Sequence, residues 1–146
     1  VYFLRVAGPA AGEEANELVA VERTVAVADD PGALLFAALE QLLAGPTRAE
    51  AEQGLVSQIP PGVRLRAVGI QGDVARIDLS RAFERVGGTN RIVWMLRQLV
   101  WTATDIPGVQ RVVLLVEGER VGTDRRPFTG DGFLFGELTR STVPGL

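Results

Sequence analysis

Hydrophobic and polar positions change rhythm several times along this chain, and each rhythm predicts an element. VYFLRV (1–6) and LVAVERTVAV (18–27) have strand composition, the second with Val19, Val21 and Val25 on alternating positions. AGPAAGEEANEL between them reads as a loop of small and acidic residues. In DDPGALLFAALEQLLAG the period lengthens to that of a helix, with Leu34, Leu35, Ala38, Leu39, Leu42 and Leu43 on one stripe. Asp29 or Asp30 is placed to cap its free amides and Pro31 to sit in its first turn, while Gly45-Pro46 stops it. Thr47 with Glu50 three residues on forms a capping box for a short second helix.

Alternation returns in VRLRAVGIQGDVARIDLS. A two-residue Gly72-Asp73 loop pairs Gln71 with Val74, Ile70 with Ala75 and Val68 with Ile77, which sets apolar beside apolar on one face. Leu65 falls off this pattern, so the first strand is expected to bend or bulge near Ala67. A long helix follows from a Thr89 or Asn90 cap to about Thr104, closed by Pro107-Gly108. The apolar run Val112 to Val116 is a central strand ending in a tight turn at Gly118. The order of elements predicts an α+β fold, a two-layer sandwich with a mixed β-sheet and two main helices packed on one face; the helix between the fourth and fifth strands gives a right-handed crossover if those strands are parallel. One domain spans 1–146, with a core over about 1–121. The remainder, 122–146, is an extension rich in Gly, Thr and Pro, and Phe128, Phe133, Leu134 and Phe135 argue that it packs on the domain.

The long helix raises the functional question. At about 100° per residue, Ile92, Leu96, Leu99 and Ala103 share one arc, flanked by Met95, Val100 and Ile106. Trp94 and Trp101 fall roughly 160 to 180° from its centre, beside Arg97 and Gln98, and so point away from the sheet. Three readings stand open: the chain's own tail or N-terminal loop covers the stripe, a partner docks on Trp94, Arg97, Gln98 and Trp101, or the indoles are partly exposed without a role.

Composition narrows the chemistry. With 146 residues, 47% hydrophobic and 23% charged, the chain has the profile of one soluble globular domain. It has neither Cys nor His, which removes thiol and Ser-His-Asp catalysis and zinc sites of the usual N/S kind. All 15 basic residues are arginine and the net charge is −3, a poor footprint for nucleic acid. No apolar run reaches the ~20 residues of a membrane span. The chain opens on a strand without an initiating Met, so any leader or anchor would lie upstream of Val1.

A search for catalytic constellations finds little. A P-loop needs a Lys. Ser57, Ser80 and Ser141 have no base to activate them and no nucleophile-elbow glycines. Asp29-Asp30 reads as a helix cap and Glu117 and Glu119 flank a turn. Asp124, Asp131 and Glu137 carry oxygen ligands suited to calcium but lack its regular spacing, and are read as turn formers. No metal, cofactor or catalytic residue is expected.

Taken together, VYFLR, DPGALLFAALEQLLAGPTRAEAEQGLVSQIPPGVRL, GDVARIDLS, LRQLVWTATDIPGVQRVVLLVEG and the late LTR resemble the sporulation and spore germination domain, GerMN. The most specific parts are the leucine helix ending in LLAGPT, the IPPG before a strand, the DLS that ends a hairpin, and the helix closing on PGV, and their order carries the likeness through most of 1–121. The resemblance implies an extracytoplasmic domain of a bacterial lipoprotein or membrane-anchored protein, without known catalytic activity. Relatives of this kind assemble in the envelope of spore formers, resemble ring-building modules of secretion machines, or associate with a sensor kinase. They often carry two copies, or one copy followed by an immunoglobulin-like domain, whereas this chain shows one copy. The tail TGDGFLFGELTRSTVPGL departs from the pattern, so ring-type assembly does not simply transfer. The expected partner is a protein of the cell envelope or a second copy, held near the membrane by a segment outside this chain. A module that binds cell-wall glycan or peptide, with the tryptophans as stacking platforms for peptidoglycan sugars, is the alternative.

Overall fold

The computed structural model describes residues 1–6, 16–26, 29–128 and 134–143. Its elements run β1 (Tyr2–Arg5), β2 (Glu17–Ala20), α1 (Pro31–Ala44), α2 (Arg48–Glu52), β3 (Leu55–Val56), β4 (Leu65–Gln71), β5 (Val74–Leu79), α3 (Thr89–Thr104), β6 (Arg111–Val116) and β7 (Glu119–Arg120), with a 3-10 turn at Arg81–Glu84 after β5. The fold is α+β, in two layers. The expected loop over 7–15 lies outside the described residues.

The larger sheet has strand order β4-β5-β6-β7. Its β4–β5 hairpin keeps the register expected from alternation, Gln71 opposite Val74 and Val68 opposite Ile77, with the irregularity between Leu65 and Ala67. β5 and β6 pair in parallel, as a helical crossover requires. Ala75, Ile77 and Leu79 of β5 and Val112, Leu114 and Val116 of β6 meet Leu35, Leu39 and Leu42 of α1 and Ile92, Met95, Leu96, Leu99 and Ala103 of α3 in one core. Each fully buried Leu or Ile contributes roughly 1.5–3 kcal/mol, so this seam supplies most of the apolar stabilisation.

Helix boundaries follow their chemistry. Asp30 caps α1 by accepting from the Gly32 N–H at 3.2 Å, with Pro31 just inside. In α2 the capping box is complete: Thr47 Oγ1 accepts from the Glu50 N–H at 3.2 Å and Glu50 Oε1 from the Thr47 N–H at 2.9 Å. α3 differs from expectation. Gly88, with φ of 89°, is its N-cap in place of Thr89 or Asn90, and no side chain caps it. The Gly88 carbonyl already accepts the Ile92 N–H at 3.1 Å, so the first helical turn starts one residue early.

The N-terminal strands do not join the larger sheet. They form a second, smaller one of order β2-β1-β3, in which Leu4 pairs with Val56 and Arg5 with Leu55. Phe3 faces the shared core from this sheet and is fully buried. α3 therefore packs against β1 as well as β6.

The C-terminal extension is folded onto the domain where it is described. Leu138 pairs with Val112 through two backbone hydrogen bonds of 2.8 Å, on the edge of β6 away from β5. Phe128 packs between Phe83 and Phe135, at centroid distances of 5.3 and 5.7 Å. Phe133 lies outside the described residues.

Candidate interaction surface

The stripe of α3 that turns from the larger sheet carries Trp94, Arg97, Gln98 and Trp101, and the structure assigns each a different surrounding. Gln98 is fully buried. Its Nε2 donates to the Tyr2 carbonyl and to Ser57 Oγ, both at 3.2 Å, and its Oε1 accepts from the Gln58 N–H at 2.8 Å. The need arises from β1. Val1 exchanges backbone hydrogen bonds with Val21 on the β2 side, at 2.8 and 3.0 Å. Tyr2 points its peptide groups the opposite way, and β3 has ended at that level. Gln98 and Thr102, one turn apart, fill the gap, Thr102 Oγ1 accepting from the Tyr2 N–H at 3.2 Å. The side-chain amide of Gln98 has the same donor and acceptor as a peptide, and it serves here as one.

Trp101 is half-buried, and among the described residues of the C-terminal extension its cover is Arg140. The Arg140 guanidinium lies 5.4 Å from the Trp101 ring centre and 5.9 Å from that of Tyr2. It donates to Asp105 Oδ1 at 2.8 Å, to Thr104 Oγ1 at 2.8 Å and to the Trp101 carbonyl at 3.2 Å. A cation at the end of α3 also complements the helix dipole. Tyr2 joins the same cluster by donating its hydroxyl to Asp105 Oδ1 at 3.2 Å. Burial, and then the bond to Asp105, push the Tyr2 phenol above its usual range.

Trp94 is 6% exposed. The Arg97 guanidinium stacks 4.8 Å from its ring centre. Trp94 Nε1 and Arg97 Nε are both enclosed, and among the described residues neither has a hydrogen-bond acceptor. Arg91, one turn earlier, donates its Nε to the Gln58 carbonyl at 3.2 Å. The stripe is thus one continuous face in the structure, but Gln98 and one side of Trp101 are already engaged within the chain. Tyr2, Gln58, Thr102 and Arg140 belong to this face and were not singled out from the sequence, while Ser57, weighed there only as a nucleophile, belongs to it too. The signal for them was the pair Gln98 and Thr102, polar residues four apart and so on one face of α3.

The residues weighed for chemistry have structural roles. Ser57 accepts from Gln98, and Ser80 Oγ accepts from the Arg64 N–H at 2.8 Å. Asp124 is exposed, Glu137 pairs with Arg111 at 3.3 Å, and Asp131 lies outside the described residues. Among the described residues, no group of three acidic side chains is gathered for a metal ion. Glu50 holds Arg23 through both its oxygens, at 2.5 and 2.6 Å. The Arg23 guanidinium, helped by the Thr47 cap, lowers the Glu50 carboxyl to about 2, the opposite direction from a general acid. A surface cleft of about 660 Å³ is lined by Glu119, Arg120 and Thr123 to Arg126, where Arg126 is neutralised by Glu84 and Glu119 at 2.7 and 2.8 Å.

The family described as Germane, sporulation and spore germination, matches residues 1–122. The chain belongs to this family. As a Germane domain it shares its fold with several solved structures. A protein of Clostridium perfringens assigned as a lipoprotein is 20% identical, with a TM-score of 0.69 over all of this chain and 89% of that one. The tandem GerMN domains of the sporulation protein GerM from Bacillus subtilis are 22% identical, with a TM-score of 0.69 over 98% of this chain and 44% of that one. The first GerMN domain of the same protein is 14% identical, with a TM-score of 0.60 over 97% and 98% of the two chains. No curated protein matches the chain. The Germane match ends at residue 122, and Phe128, Phe135, Leu138 and Arg140 lie beyond it.

Proposed function

We propose that this chain is a non-catalytic, extracytoplasmic protein-interaction module of a bacterial envelope protein of the sporulation type, held at the membrane by a lipid or peptide anchor. The observation that carries the reading is the family match over residues 1–122. The shared fold with a C. perfringens protein assigned as a lipoprotein supports the envelope location. The chemistry of the acids agrees with a non-catalytic role: Glu50 and Glu84 are consumed by bidentate arginine pairs, and Asp78 by Arg66 and the Gly118 N–H. A glycan platform needs open indole faces, and Arg97 and Arg140 lie over the two rings. This favours a protein partner over a peptidoglycan sugar.

The test uses the full-length protein in its own cells, with a photo-crosslinking residue in place of exposed Arg91 on α3 or of exposed Arg76 on the opposite face of the larger sheet. The expected result is digestion by external protease after wall removal and a discrete protein adduct from the α3 position. Protection from protease overturns the location. Co-sedimentation with purified sacculi, without an adduct from either position, overturns the protein-partner reading.

A further inference from the structure

Three arginines in this chain are not exposed: Arg23, Arg97 and Arg126. Arg23 is held by both oxygens of Glu50, and Arg126 by both oxygens of Glu84 with a further contact to Glu119. Arg97 has no carboxylate among the described residues, and its guanidinium stacks on the face of Trp94. A guanidinium taken partly out of water without a counter-charge is an unfavourable arrangement, and stacking on an indole offsets only part of that cost.

We infer that Arg97, stacked on Trp94, is the docking point for a carboxylate on an acidic segment of the protein partner; this rests on the interaction reading above. With Nε enclosed, the side of the guanidinium that joins Nε to one Nη is closed. The edge left for a partner is the fork of the two terminal Nη groups, whose spacing matches the two oxygens of one Asp or Glu side chain. Trp94 holds that fork flat, so little side-chain freedom is lost when the pair forms. A single fork of this kind suits one carboxylate better than a polyanion. Arg91 already gives its Nε to the Gln58 carbonyl, and the chain has net charge −3 and no lysine. A phosphate-rich polymer or anionic bilayer draws instead on clusters of basic residues. The site lies within the family-matched region, whereas the cover over Trp101 comes from outside it.

The chain has two tryptophans, so its indole N–H groups give two NMR signals, assigned by Trp101→Phe. The probe is capped hexaglutamate. The expected result is a saturable shift of the Trp94 signal, with Trp101 unmoved and binding weakened about tenfold in Arg97→Gln, the loss of one charge-assisted pair. Arg97→Lys keeps the charge without the fork and falls between the two, and Arg120→Gln, at a distant exposed arginine, binds as the parent does. Four results overturn the proposal: no shift with hexaglutamate; an equal shift in Arg97→Gln; a Trp94 shift with phosphatidylglycerol vesicles and none with hexaglutamate; or a Trp94 shift on concentrating the chain alone, which marks a second copy as the occupant. An α3 adduct that persists in Arg97→Gln sinks the docking point and leaves the interaction reading standing, while absence of any adduct in the parent sinks that reading itself.

Discussion

Gln98 on α3 and Tyr2 on β1 are joined across 96 positions of sequence by a 3.2 Å bond from side-chain amide to backbone carbonyl, at the level where β3 no longer reaches. The same amide accepts the Gln58 N–H at 2.8 Å, so one side chain links the smaller sheet, the segment after β3 and the long helix. Gln98→Leu keeps the bulk and removes every polar partner. Two enclosed peptide groups are then left unpaired, and the expected loss is about 3 kcal/mol in urea unfolding. A loss below about 1 kcal/mol would show that the two peptide groups find other partners.

Acid sensitivity is expected to centre on Glu50. Its carboxyl is lowered from 4.5 to about 2 in the folded chain. A depressed folded value favours the folded state while the group is ionised in both states, above about 4.5, and the advantage disappears as pH falls toward 2. Glu50→Gln is therefore expected to cost about 2 kcal/mol at neutral pH. Its stability curve should meet that of the parent near pH 2, as read by unfolding midpoints across that range.

Gly122 sits at φ of 78°, and a methyl group there would come within 2.3 Å of the Phe135 ring. Gly122→Ala combines backbone strain with overpacking, and about 3 kcal/mol of destabilisation is expected. Adding Phe135→Leu to Gly122→Ala should recover the part due to the ring contact, because the two residues share one space.

Arg140→Ala should release the cover over Trp101. Its ion pair with Asp105 is largely exposed, so the global cost is expected near 1 kcal/mol. The clearer readouts are local: redder Trp101 fluorescence in a Trp94→Phe background, and faster proteolysis within residues 134–143. Unchanged emission and cleavage would mean that the Phe128–Phe135 packing and the Leu138 bridge hold this segment without it.

Much of the fold was legible because its signals are local. The hairpin register follows from period 2 and a two-residue turn, and α1 and α2 announce their own caps. β3 was not legible, since two residues show no period and their partner, β1, lies about fifty positions upstream. Without β3 there was no reason to separate the N-terminal strands from the larger sheet. The same gap hid the surroundings of the α3 stripe. Angular spacing put Trp94, Arg97, Gln98 and Trp101 on one face, but whether that face meets water or a second sheet depends on contacts far away in sequence. Gln98 and Thr102 look like solvent-facing polar residues until Tyr2 is brought beside them.

The two margins of the larger sheet are unlike. Along β6 the far margin is taken by β7 and then by Leu138, whereas among the described residues β4 pairs with β5 alone. A strand arriving from outside can add along the seven residues of β4, and two copies that meet β4 to β4 close as a two-fold pair.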